Sequence, residues 1–382
     1  MENLTALWRS ETGWSLPDPL PFVPDWILYF GSPTCLEGEA APVRELAARF
    51  PAAVCCGCTT AGEILQNRVY DDSVVAALVR FEGTRVRAVA QPVVSPAESR
   101  AAGQAAARQL RADDLRHVLV LSEGLNVNGT ALVAGLRETL PENVAVTGGL
   151  AGDGARFQRT RVGLGATLQP DQIVAVGFYG LTTAVGFGSA GGWEAFGPRR
   201  RITRSAGNVL YELDGQPALS LYKRYLGERA AGLPATGLLF PLELATGPAT
   251  PDGLVRTILA VNEADQSLTF AGDMPENWHA RLMRAGPEQL VAGAATAGTR
   301  AVPQPAGHGR ALAVLVSCVG RRLVLGQRAE EEVEAVGHSL PPGTDVIGFY
   351  SYGETCPAHG SRRSELHNQT MTVTVITEHT LP

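Results

Sequence analysis

The sequence predicts an α/β fold with mixed sheets, built from repeated β-α-β-plus-hairpin units and divided into two domains. Three observations predict it. Three stretches of the chain run alike, as a short apolar strand, a Gly- or Ser-bearing turn, an amphipathic helix and a second apolar strand. Each of them ends in a small, glycine-containing run closed by glycine and an acid, at Gly62–Glu63, Gly152–Asp153 and Gly353–Glu354. With 382 residues the chain is also long for one core and fits two domains of ordinary size.

The first unit reads "WILYFGSPTC", "EGEAAPVRELAARFP", "AAVCCGCTTAGE". The second reads "HVLVLSEGLNVN", "GTALVAGLRETLPE", "NVAVTGGLAGDG", and the third "ALAVLVSCVGRR", "VLGQRAEEEVEAVGHSLPPG", "TDVIGFYSYGE". Strand, crossover helix and strand imply parallel pairing within a buried sheet. Strands rich in Val, Thr and Gly follow each closing pair. "SVVAALVRFEGTRVRAVAQPVV" reads as a hairpin around Glu82–Gly83; "RVGLGATL", "QIVAVGFYG" and "TAVGFGSA" follow the second unit, and "QTMTVTVITE" closes the third. Further helices are expected at 97–112, 215–226, 274–284 and 287–299. The segment 192–207, with Gly, Pro and four arginines, interrupts the pattern. It sets an expected boundary between an N-terminal domain, 1–192, holding two units, and a C-terminal domain, 193–382, holding the third unit and an insertion, 207–300.

Composition narrows the function classes. A formal net charge of −6 with dispersed basic residues gives no electrostatic footprint for nucleic acid. The opening "MENLTALWRSETGW" lacks a basic segment followed by an apolar run, so no signal peptide is expected. No stretch approaches the roughly 20 apolar residues that span a bilayer. The expectation is a cytoplasmic protein without membrane insertion, whose six cysteines are free thiols.

Cys55 and Cys58 form a C-x-x-C, which invites a zinc or redox reading. Context opposes both. No second pair at ligand spacing is present, and the cysteines end a strand rather than open a helix. Residues three apart on a strand face opposite sides, so Cys55 and Cys56 read as core fillers and Cys58 stays as a pocket candidate. "GFGSAG" at 186–191 matches a dinucleotide pattern, but "GWEAFGP" after it cannot open the required helix. Glu63, Asp153 and Glu354 are carboxylates available for acid–base chemistry. No nucleophile is placed beside them, so a non-enzyme is expected.

In register, the three endings put small or hydroxylated residues at the same places, at the carboxyl ends of parallel strands where open α/β sheets bind ligands. Tight turns with locally satisfied acids explain the same pattern. If the domains face each other, the endings line one cleft. The candidate ligand residues are then Cys58, Thr59, Thr60, Gly62 and Glu63; Gly148, Gly149 and Asp153; and Tyr350, Ser351 and Glu354. Arg204 is the candidate cation for an anionic group and Trp193 a candidate cover.

"GCTTAGEI" at 57–64, "TGGLAGDG" at 147–154, "VAVGFYG" at 174–180, "GNVLYELDGQPALSLYKRYLG" at 207–227 and "IGFYSYGE" at 347–354 resemble the FIST proteins, in which a FIST N domain precedes a FIST C domain. The resemblance covers roughly residues 25–360. It implies a bacterial sensory module binding a small ligand such as an amino acid. The chain carries no kinase, cyclase or chemoreceptor segment, so the resemblance implies a stand-alone protein acting through contact with a partner such as a histidine kinase, or through homo-oligomers. One branch of stand-alone relatives implies another ligand, haem b, and nitric oxide sensing. Haem needs an axial ligand, usually His, and the candidates are His279, His359 and His367. The sequence does not choose between the two ligand classes.

Overall fold

The computed structural model describes residues 1–36, 41–247, 253–303, 310–358 and 360–379. It has the expected class: mixed sheets, flanking helices and two domains. Each of the three units builds one sheet around a parallel pair. Trp26–Gly31 pairs in parallel with Val54–Thr59, Leu115–Ser122 with Ala145–Leu150, and Ala311–Cys318 with Thr344–Ser351. An antiparallel strand covers the far edge of each first strand: Val74–Arg80, Gln172–Tyr179 and Met371–Glu378.

The strands after the closing pairs do not stay with their own unit. Glu63–Leu65 leaves the first unit and pairs with Thr344–Ser351 of the third. Gly353–Pro357 leaves the third and pairs with Ala145–Leu150 of the second. Val162–Leu164, after the second, pairs with Val54–Thr59 of the first. The exchange closes a ring of three sheets about one core. Leu28 and Phe30 from the first sheet, Leu119 and Leu121 from the second, and Val316 and Phe349 from the third meet there. The Phe30 and Phe349 rings lie 4.5 Å apart, and Trp26 meets Phe178 edge-on at 5.1 Å. Burial of such a cluster, at about 25 cal/mol per Å² of apolar surface, is the main force holding the ring together.

The remaining domain is an eight-stranded antiparallel sheet covering 194–284, inserted between strand Thr183–Ala190 and helix Pro287–Ala301 of the third unit. Its own core includes Leu210, Leu219, Tyr222, Leu268 and Phe270.

Three expectations need correction. The hairpin around Glu82–Gly83 does not form. Val74–Arg80 stays in the first sheet, whereas Arg85–Pro92 joins the second beside Gln172–Tyr179. The Glu378 carboxylate explains the divergence, since it accepts from the N–H groups of Glu82, Gly83 and Thr84 at 2.7–2.8 Å and so fixes a crossover. The helix expected at 274–284 is largely a strand, His279–Arg284, paired on both sides with Leu242–Ala245 and Glu194–Ala206. Two ladders outweigh its weak helical pattern, and Asn277 with φ 69° has left the helical region. The interruption at 192–207 is mostly ordered as strand Glu194–Ala206, bulged between Phe196 and Arg200, so its Pro and Gly mark a bulge. Helices do form at Ser99–Leu110, Ala218–Leu226 and Pro287–Ala301.

Candidate functional site

The three endings meet. Ala61 N–H donates to the Tyr350 carbonyl at 2.8 Å and Tyr350 N–H to that of Gly62 at 2.9 Å. Gly152 N–H donates to Thr59 O at 2.9 Å, Gly154 N–H to Thr60 O at 3.2 Å, and Tyr352 N–H to Leu150 O at 3.2 Å. The junction is sealed: Cys58, Thr59, Thr60, Glu63, Asp153, Tyr350, Ser351 and Glu354 are all at most 1% exposed. Gly148 and Gly149 lie inside strand Ala145–Leu150. Gly148 has φ 134°, and a Cβ there would sit 1.9 Å from the Val120 carbonyl oxygen.

Each acid of the junction has its oxygens filled nearby. Glu63 accepts from Thr60 Oγ1 at 2.5 Å and Ser73 Oγ at 2.7 Å. Glu354 accepts from Ser351 Oγ at 2.7 Å and from the N–H and hydroxyl of Thr370 at 3.1 and 3.0 Å. Burial pushes the Glu63 carboxyl up to about 8 and Glu354 up to about 7, although those hydrogen bonds pull the other way. Asp153 accepts from the N–H groups of Phe157, Gln158 and Arg159 at 2.8–2.9 Å, and from the Tyr352 hydroxyl. Tyr350 donates to Glu332 at 2.9 Å and lies under the Arg322 guanidinium, 5.3 Å away.

The other candidates are elsewhere. Trp193 donates its indole N–H to the Gln369 carbonyl at 2.8 Å. Arg204 pairs with Glu212 at 2.8 Å and stacks on Tyr211 at 4.5 Å, both on its own strand pair. Cys55 and Cys58 project into different core clusters, and Cys56 shares the Cys58 side.

The cleft that does open lies beside the junction, between the second unit and the inserted sheet. It is a cavity of about 240 Å³. One wall is the Phe157–Tyr352 stack, 4.3 Å between centroids and 14° from parallel, with Leu150 and the Gly124–Gly129 turn. The facing wall is Asn208, Leu259 and Phe270–Gly272. Leu125 and Leu259, 37% and 40% exposed, form an apolar rim.

Sequence logic builds these walls from behind. Glu123 gathers the N–H groups of Leu125 and Asn126 at 2.7 and 2.5 Å and so folds the turn. Asn128 caps helix Gly129–Thr139 by accepting from Ala131 N–H at 3.0 Å. Its amide crosses to the Asp273 carboxylate at 3.0 Å and struts the two domains together. Asp153 sets the loop carrying Phe157, a non-glycine residue at φ 53°. Thus Asp153, the second closing acid, holds the aromatic wall while itself staying out of the cavity. Tyr352 lies inside the quoted "IGFYSYGE" as the one aromatic between the hydroxyl and the glycine-acid pair; Asn128 and Asn208 lie in quoted stretches without standing out, and Phe157 lies in none.

The sequence model of the FIST N domain matches residues 25–216, and that of the FIST C domain matches residues 218–357. The chain belongs to the FIST family. FIST domains are sensory signal-transduction domains. No curated protein matches this FIST chain. A crystal structure of cyanuric acid hydrolase from A. caulinodans aligns at 13% identity over 78% of this chain and 100% of that one, with a TM-score of 0.16. So low a score supports no argument about fold or chemistry.

Among the described residues lining the cleft, none is a histidine, cysteine or methionine that could serve haem as an axial ligand, and its tyrosine is already bonded to Asp153. His367 bonds the Cys356 carbonyl at 3.0 Å, and burial lowers its pKa to about 4. His279 sits in a strand of the inserted sheet. His359 lies outside the described residues. Among the described residues, no helix is long and apolar enough to cross a membrane.

Proposed function

We propose that this FIST protein is a small-ligand sensor whose ligand, an amino acid or a metabolite of similar size, occupies the cleft between the second unit and the inserted sheet. The observation that carries the reading is the cleft's double ownership. Its two walls belong to different domains, so an occupant touches both and biases how they pack. The apolar stack suits a side chain, and Asn208 and the Gly124 turn supply polar edges. The junction residues chosen from the sequence serve this site as its support, through Asp153 and Tyr352.

Output then passes through a surface read by another protein, with a histidine kinase or a second copy of the chain as the partner. A sensor of this kind needs no catalytic residue. The test is a thermal-shift series on the full chain with the standard amino acids. At least one raises the melting temperature of the wild type and not that of Ala271→Phe, which fills the cavity. A shift that survives Ala271→Phe, or no shift from any of them, overturns the reading.

A further inference from the structure

A second cavity, about 220 Å³, lies across the Asn128–Asp273 strut from the first. Its lining includes Arg256, whose residue is only 3% exposed. A buried guanidinium is normally matched by a carboxylate, because taking the charge out of water is costly. Arg256 is not so matched. Its Nε donates to the Asp273 carbonyl at 3.4 Å, and its Nη1 to the carbonyls of Val255 and Leu366 at 3.2 and 3.1 Å. Among the described residues no carboxylate lies within ion-pair distance, although Asp273 and Glu365 act on it from further away, and none of these three hydrogen bonds uses Nη2. Burial brings its pKa down to about 10, so the cation persists at neutral pH. Gly272 lets the guanidinium lie where it does, since a Cβ there would come within 2.8 Å of Nε.

The geometry points to a binding site for a small organic monoanion, a carboxylate with an apolar tail. The carboxylate would take the open edge of the Arg256 fork, the arrangement in which arginine binds such groups best. The tail would lie on Trp278, Leu244, Leu254 and Val133. Asp273 and Glu365 line the same cavity. Arg137 lines it as well, so the two arginines offset the two carboxylates; a monoanion then adds one negative charge, whereas a dianion such as phosphate adds two beside Asp273 and Glu365. The proposed ligand sits across the strut from the first cleft, with which this cavity shares Leu366.

Isothermal titration of the full chain with pentanoate, pentanol and inorganic phosphate tests the site. Pentanoate binds, while pentanol of the same length and phosphate do not. Arg256→Lys keeps the charge but loses the fork, and weakens pentanoate about tenfold or more, the scale of a lost charge-assisted hydrogen bond. Glu365→Gln removes a repulsive charge without touching the Arg256 bonds, and tightens pentanoate severalfold. That gain distinguishes a ligand site from a strap that merely ties Arg256 to Leu366. Absent pentanoate binding, equal binding of pentanol, preference for phosphate, or a Glu365→Gln protein that binds no tighter overturns the proposal.

Discussion

The junction of the three endings and the cleft beside it are neighbours joined by the Asp153–Tyr352 bond, yet they treat polar groups in opposite ways. At the junction every carboxylate is enclosed and its oxygens are bonded to nearby hydroxyls or N–H groups. Along the cleft and its companion cavity, apolar side chains are exposed and a buried cation has no carboxylate within ion-pair distance among the described residues. Fully bonded polar groups make a rigid joint. Incompletely matched ones make a surface that gains by receiving something. A repeated motif therefore marks the joint, and binding belongs where the repetition stops.

The sharpest way to break this comparison is Asp153→Ala. It strands three N–H groups and a hydroxyl behind the aromatic wall, and the expected loss is about 3 kcal/mol in urea unfolding. A loss as small as that of a surface change would mean that the junction is not the joint described. Next comes pH. Glu63 and Glu354 have folded pKa values of about 8 and about 7, above the ordinary 4.5. The folded state therefore holds protons more tightly than the unfolded chain, and their contribution is complete below about 4.5 and lost as pH rises toward 8. Stability should fall across that window, and Glu63→Gln should flatten the fall; an unchanged slope would place the proton elsewhere. Asn128→Ala removes both the helix cap and the strut, with an expected cost of about 1 kcal/mol. It should weaken ligand binding in the cleft more than that stability change accounts for. At the small end, Leu259→Ser on the rim should change stability by no more than about 0.5 kcal/mol and still lower ligand affinity in a titration. Equal affinity would move the ligand away from this rim.

Much of this contrast was legible before any coordinates. The three parallel pairs follow from short apolar runs flanking amphipathic helices, and the endings could be aligned by eye. Periodicity cannot say where a strand goes after it leaves its unit. "EIL" at 63–65 pairs with a strand nearly three hundred residues further on, at Ile347–Phe349, and nothing local encodes that choice. The same limit applies to the cleft. Phe157 reaches its wall through a left-handed backbone that Asp153 imposes. Arg256 is one arginine among many in the sequence; only the structure shows it buried without a carboxylate in hydrogen-bond contact. Arg204, in contrast, sits in a conspicuous basic run and is neutralised on the surface by Glu212.

The ring of exchanged strands also dictates an assembly order. Leu150 and its strand wait for Gly353, and Thr344–Ser351 takes its neighbour from a segment synthesised near the beginning. An N-terminal half released alone would carry a naked edge along Ala145–Leu150, an invitation to pair with the wrong molecule. Neither half can be transplanted as a self-sufficient sensor. The two FIST domains are held like clasped hands: each supplies fingers to the other's grip.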